Sequence, residues 1–228
     1  MTHFNQNRFN EFVLDNGVIG FFKAPIKLKS GRNSNWYVNW RNVAEDVFLL
    51  DQLANHVLAF TQDLGLNPDC FFGVPEGATK LGIITQYKWA LQSPIYAPHS
   101  HALPMGRGKP KEHGIPKDKY FVGQPRGKTI ILEDVTTTGD SLLTTIDSLT
   151  QAGIEITSAI SLTNRMEKRD DGLSVQQEIE SRNIPYHTLS SAIKLLPLAY
   201  KRLNPGEEIA QAIEQEFEKY GVERIRLR

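Results

Sequence analysis

An α/β fold, with a mainly parallel central sheet flanked by helices and a small N-terminal cap, is what this sequence predicts. Three observations lead there. Apolar runs such as "CFFGV" and "TIILED" are continuous rather than alternating, as in strands buried on both faces. They take turns with segments of helical periodicity, the pattern of βαβ crossovers. The first 42 residues stand outside that alternation. With 228 residues, 40% of them hydrophobic, the chain is long enough for one large α/β unit with an appendage. The expected division is a cap over 1–42 and a core over 43–228, with a mobile loop at about 103–119.

Each element has its own signal. Phe9, Phe12 and Val13 recur at helical spacing within 8–15, before a stop at Asn16-Gly17. "IKLKSGRNSNWYVNW" alternates on either side of a polar turn, Ser30 to Asn35. Ile26 and Leu28 share one face and Trp36, Val38 and Trp40 another, predicting a hairpin. Val47, Leu50, Leu53, Ala54, Val57, Leu58 and Leu64 follow a 3.6-residue period, an amphipathic helix ending near Gly65. A short strand over 70–74, a helix through about 91 and a strand at "SPIYAP" come next. From His99 to Lys119 the chain is rich in Gly, Pro, Lys and His and has no period; such a long loop is functional or disordered. "TIILED" predicts a buried strand, 140–152 a helix closed by Gly153, "IEITSAISLTN" another buried strand, and "EEIAQAIEQEFEKYG" a final amphipathic helix.

Composition narrows the function. Lys plus Arg number 26 and Asp plus Glu number 26, so the net charge is zero and the basic excess of a nucleic-acid binder is missing. An electropositive site must be built by local clustering. The single cysteine, Cys70, has no intrachain disulfide partner and reads as a small buried residue, in keeping with a reducing compartment. "MTHFNQNRFNEF" has neither the basic nor the apolar region of a signal peptide, and no apolar stretch reaches the roughly 18 residues of a membrane span. A soluble, cytoplasmic protein without nucleic-acid or membrane partners is the expectation.

The chemistry concentrates in "TIILEDVTTTGDS", residues 129–141. A buried strand ends in two carboxylates, Glu133 and Asp134, and ligands collect at the carboxyl ends of parallel strands. Thr136, Thr137, Thr138 and Gly139 then lead into a helix start, where unpaired amides and the helix dipole favour phosphate. Phosphate would repel the acids, whereas sugar hydroxyls donate to them and a divalent cation fits beside them. A phosphorylated sugar satisfies both halves. The plainer alternative is an Asp134 helix cap followed by an ordinary threonine turn. No Gly-Lys-Ser/Thr follows, so this is not a Walker A loop. His99 and His101 lack a cysteine or carboxylate at ligand spacing, and no Ser-His-Asp pattern or cysteine nucleophile emerges.

"IILEDVTTTGDS" resembles the ribose-phosphate signature of type I phosphoribosyltransferases. "KLKSGRNSNWYVN", "RGKPKEHG" and "ISLTNRMEKRDDG" resemble, in order, three further segments of the orotate phosphoribosyltransferase family. The resemblance covers most of residues 8–175. It implies transfer of phosphoribose from 5-phosphoribosyl-1-pyrophosphate (PRPP) to orotate, giving orotidine 5′-monophosphate and pyrophosphate in pyrimidine synthesis. It also implies a Mg²⁺ cofactor bound mainly through PRPP, and a homodimer. Two alternatives are a type I phosphoribosyltransferase for another base and a non-catalytic PRPP-sensing regulator.

By the same resemblance, Lys29, Tyr37, Val38, Thr137 and Arg165 would contact orotate. Glu133 and Asp134 would hold ribose hydroxyls, and Val135, Thr136, Thr137, Thr138, Gly139, Asp140 and Ser141 would surround the 5′-phosphate. Lys29, Glu76, Gly77 and Lys109 would also touch PRPP. Arg107, Lys111 and His113, with Asp134, would be catalytic, the loop residues closing over pyrophosphate at the neighbouring subunit's site. The chain departs from the family at Gly108, where a cation is usual and Lys109 supplies one a position later. It departs again at Glu76 and Gly77, which replace an aromatic and a cationic or hydroxyl residue.

Overall fold

The computed structural model describes residues 3–109, 113 and 120–228. Helix α1 (Gln6–Asp15) starts at Asn5, whose side chain accepts the Arg8 N–H, and stops at Asn16. Gly17 follows with φ +60°, a left-handed position that suits glycine. Strands β1 (Ile19–Lys27) and β2 (Asn33–Val38) form the antiparallel hairpin, Ile19 opposite Val38 and Ile26 opposite Ser34. The turn lies earlier than its polar run predicts. Leu28 N–H donates to Arg32 O at 2.8 Å, and Asn33 to Asn35 are already strand. Those polar residues fit inside the pair because they find partners: Asn35 Nδ2 donates to Phe22 O, and Ser34 Oγ contacts Trp36 O and Glu216.

Helix α2 (Arg41–Ala44) leads to α3 (Val47–Asp63), which Asp46 caps through the Leu49 N–H. The apolar period overshoots the buried face of α3 at both ends: Val47 is 84% and Leu64 37% exposed. Strand β3 (Cys70–Gly73) passes into α4 (Thr79–Leu91). A Cβ on Gly82 would collide with the Gly73 backbone, so these two glycines let α4 begin against the end of β3. "SPIYAP" is not a strand. Ile95 and Tyr96 are 67% and 55% exposed, Pro94 and Pro98 have no N–H to pair, and β3 stays an edge of the main sheet.

The segment expected to be a single long loop contains β4 (Met105–Gly106), which pairs with β5 (Phe121–Val122). Strand β6 (Thr129–Thr136), α5 (Asp140–Gln151) and β7 (Ile156–Asn164) match their apolar patterns. Then come α6 (Val175–Glu180), β8 (Tyr186–Ser191), α7 (Ala192–Leu203) and α8 (Glu207–Tyr220). The main sheet has the order β3-β6-β7-β8, all parallel.

Both faces of that sheet are covered, which is why its strands read as continuous apolar runs. Ile130, Leu132, Ile160 and Leu162 face one cluster with Phe9, Trp36, Trp40, Leu196 and Phe217. Ile131 and Ala159 face the other, with Leu142, Ile146 and Ile179 from α5 and α6. The N-terminal hairpin therefore shares its apolar interior with the sheet and with α8. No helix among the described residues is long and apolar enough to cross a membrane.

Candidate active site at the sheet's carboxyl edge

A cleft of about 530 Å³ opens where β6 ends. Its floor is the acid pair. Glu133 is buried, while Asp134 is half-exposed; the Asp134 N–H donates to Glu133 Oε1 at 3.1 Å. Burial, reinforced by the neighbouring Asp134 charge, pushes the Glu133 carboxyl well above the usual glutamate range, against the opposing pull of Lys29. Asp134 Oδ1 accepts from the Val135 N–H at 2.9 Å. The turn from Pro75 to Ala78 reaches over this pair, and a Cβ on Gly77 would strike the Asp134 carboxylate. A glycine is what permits that approach.

Beyond the acids, Thr137, Thr138 and Gly139 bend into α5. Gly139 has φ +77° and no side chain caps the helix, so its first amides point toward whatever occupies the bend. Arg169 braces the turn from behind, donating to Thr138 O and lying 3.4 Å from Asp140 Oδ1. From the hairpin side Lys29 Nζ donates to Ser141 Oγ at 2.9 Å, so the hairpin turn touches the helix start. Tyr37, Val38, Asn39, Trp40 and Arg41 line the opposite wall. Trp40 is buried, with its indole N–H on Thr163 Oγ1 at 3.1 Å.

The cleft thus brings together Lys29, Tyr37, Val38, Glu76, Gly77, Glu133, Asp134, Val135, Thr137, Thr138, Gly139, Asp140, Ser141 and Arg165. It does not include the Thr136 side chain. That residue is the last of β6 and faces the interior, its hydroxyl 2.6 Å from the Tyr186 hydroxyl. Arg107 lies in an adjoining hollow of about 390 Å³ with Lys29, Asp140 and Ser141. Lys109 and His113 are exposed and line neither. Lys111 lies outside the described residues. Glu76 sits where a Cβ on Gly108 would come within 2.8 Å of its Oε1, so the two departures from the family pattern face each other.

Arg165 is more committed than its strand-end position suggests. It is buried, with its guanidinium 3.7 Å from the Trp36 ring centre and ion pairs to Glu167 at 2.7 Å and Glu216 at 3.0 Å. Sequence reasoning missed Arg41, which no pattern marks, and Arg169, although it stands four residues after Arg165 in the matched segment. Among the described residues no cluster of three or more His, Cys, Asp or Glu side chains forms a metal cage.

No protein-family profile matches the chain. The orotate phosphoribosyltransferase of Bradyrhizobium diazoefficiens is 30% identical over 77% of this chain and 89% of its own. That of Bordetella parapertussis is 29% identical over 94% and 96%. In fold, the chain is similar to the Francisella tularensis orotate phosphoribosyltransferase, with a TM-score of 0.68 at 24% identity over 94% of this chain and 99% of that one. An adenine phosphoribosyltransferase of Leishmania donovani shares the fold too, with a TM-score of 0.53 at 13% identity over 82% of each chain, so fold alone does not name a base. The parallel sheet flanked by helices is the fold of the type I phosphoribosyltransferases. Within that class sequence identity decides: the chain belongs to the orotate phosphoribosyltransferase family.

Proposed function

We propose that this protein transfers the phosphoribosyl group of PRPP to orotate, releasing pyrophosphate and forming orotidine 5′-monophosphate. The observation that carries the reading is one cleft lined by the acid pair, an uncapped helix start, and three cationic side chains, Lys29, Arg41 and Arg165. The first two suit a phosphorylated sugar; Lys29 and Arg41 supply positive charge for an anionic base, and Arg165 a hydrogen-bond donor.

Bond breaking at the anomeric carbon leaves a ribose with cationic character and a departing pyrophosphate. Asp134, aimed into the cleft, accepts ribose hydroxyl protons and favours the cationic sugar. Glu133, which retains its proton beyond the usual range, is able to donate to a ribose oxygen as well as accept. Thr137, Thr138 and the amides from Gly139 to Ser141 hold the 5′-phosphate, and Lys29 bridges toward the base. Tyr37 and Val38 flank the orotate ring. Glu76 and Gly77 would meet the pyrophosphate from the cleft, and Lys109 from the loop. Arg107, Lys111 and His113 belong to the loop that closes over it, excluding water.

Mg²⁺ is the cofactor the reading calls for: it would be carried mainly by PRPP with Asp134 beside it, and would neutralise charge on the leaving group; among the described residues no three His, Cys, Asp or Glu side chains form a cage of their own. We further propose a cytoplasmic homodimer in which the loop serves the neighbouring site. Exposed Val47 and Phe48 on α3, with Tyr87 and Leu91 on α4, support an apolar contact surface.

The test is consumption of orotate, followed by its absorbance, by purified protein with PRPP and Mg²⁺ against a panel of bases. Turnover of adenine or uracil in preference to orotate would overturn the base assignment. Binding of PRPP without turnover of any base would make the protein a sensor.

A further inference from the structure

Arg165 closes the base end of the cleft, yet little of its charge or freedom remains. Four of its five N–H groups are taken. Nε donates to Glu167 Oε1 at 2.7 Å, Nη2 to Ser34 Oγ and Glu216 Oε1 at 3.0 Å each, and Nη1 to Trp36 O at 3.4 Å. Glu167 is shared with Arg32, whose other partner is Asp170. Arg165 therefore faces two buried carboxylates, and its guanidinium plane is fixed against Trp36.

An arginine so compensated attracts an anion weakly through net charge. Arg165 lines the cleft, and of its N–H groups one on Nη1 is not taken by these partners. Selectivity then depends on where that N–H points, and the groups that hold Arg165 decide it. Glu216 is the one of them that comes from the C-terminal helix, 51 residues after Arg165. It projects from α8, its Oε2 also lies 3.0 Å from Ser34 Oγ, and its neighbour Phe217 stacks on Trp36.

We propose that Glu216, on the last helix, is a positioning residue for base binding: it holds Arg165 so that its remaining N–H meets the anionic edge of the base. This rests on the reading of the cleft as a site for an anionic base. Burial raises the Glu216 carboxyl above its usual range while Arg165 pulls the other way, as expected for a group held in place for the arginine's sake.

Steady-state kinetics with orotate and PRPP varied separately, together with direct orotate titration by calorimetry, test the role. Glu216→Ala should raise the orotate KM and Kd about tenfold while kcat and the PRPP KM stay within about twofold. Glu216→Gln keeps an acceptor for Nη2 and should return the orotate KM to within about threefold of wild type. Should Glu216→Ala fail to fold, Ser34→Ala reads the same network and should raise the orotate KM alone. An unmoved orotate KM in a folded variant, or orotate and PRPP KM rising together without rescue by Gln, overturns the proposal. Wild-type protein inactive on orotate would sink the functional reading and this one with it. Active wild type with unmoved variants sinks this one alone.

Discussion

Gly77 has room for a hydrogen and for nothing larger, because the Asp134 carboxylate lies where a methyl would go. Gly77→Ala should displace that carboxylate and cut kcat/KM for PRPP about a hundredfold, with the fold retained by circular dichroism. Near-wild-type kinetics would show that the acid is not clamped. Glu133 makes a second prediction. Its folded pKa lies above its unfolded one, so its contribution to stability is complete below the ordinary glutamate range and is lost as pH rises through the raised value. Glu133→Gln should therefore flatten the fall in stability as pH rises above the ordinary glutamate range, measured by urea unfolding across pH. An unchanged slope would mean that no proton is held there. At this scale the acid pair and the threonine turn were legible because their neighbours in sequence are their neighbours in space. The raised Glu133 carboxyl and the commitment of Arg165 were not, since burial sets the first and Glu216, on a helix far along the chain, sets much of the second.

Among elements, the contact of α4 with β3 is the least forgiving. A Cβ on Gly82 meets backbone rather than a flexible side chain. Gly82→Ala should cost about 3 kcal/mol and shift the turn that carries Glu76 and Gly77, lowering the urea midpoint and weakening PRPP binding together; loss of neither would show that the helix is free to slide. The parallel strands β6 and β7 were readable because burial on both faces leaves an unbroken apolar run. "SPIYAP" misled for the same reason in reverse: apolar residues between prolines resemble a strand, yet the prolines lack the N–H groups that pairing needs. Strand β8 and helices α6 and α7 gave no clear signal. β8 reads "YHTLSS", its hydroxyls satisfied within the sheet, Ser190 by Thr163 on β7, Tyr186 by Thr136 on β6 and Thr188 by Ser190 O, and α7 carries Pro197 in its interior. The polar start of β2 was misread as turn because its partners lie on α8 and β1.

For the whole molecule, the central question is whether one chain completes a site. If the loop serves the neighbouring subunit, mixing equal amounts of Lys111→Ala and Asp134→Asn proteins, each inactive alone, should restore about a quarter of wild-type activity, because half the dimers then carry one intact site. No recovery after subunit exchange, verified by mass, would place loop and acids of one chain together. The α/β architecture was legible from the alternation of patterns. The sharing of one apolar interior by the hairpin, the sheet and α8 was not, because it joins Trp36 to Phe217 across almost the whole sequence.

That joining has a temporal side. As a ribosome releases the chain, the segments proposed to grip phosphate and ribose emerge well before Glu216 and Phe217, so the sugar half can form while the base half still lacks its last wall. The wall against which a base would be chosen is thus the last part of the molecule to be made.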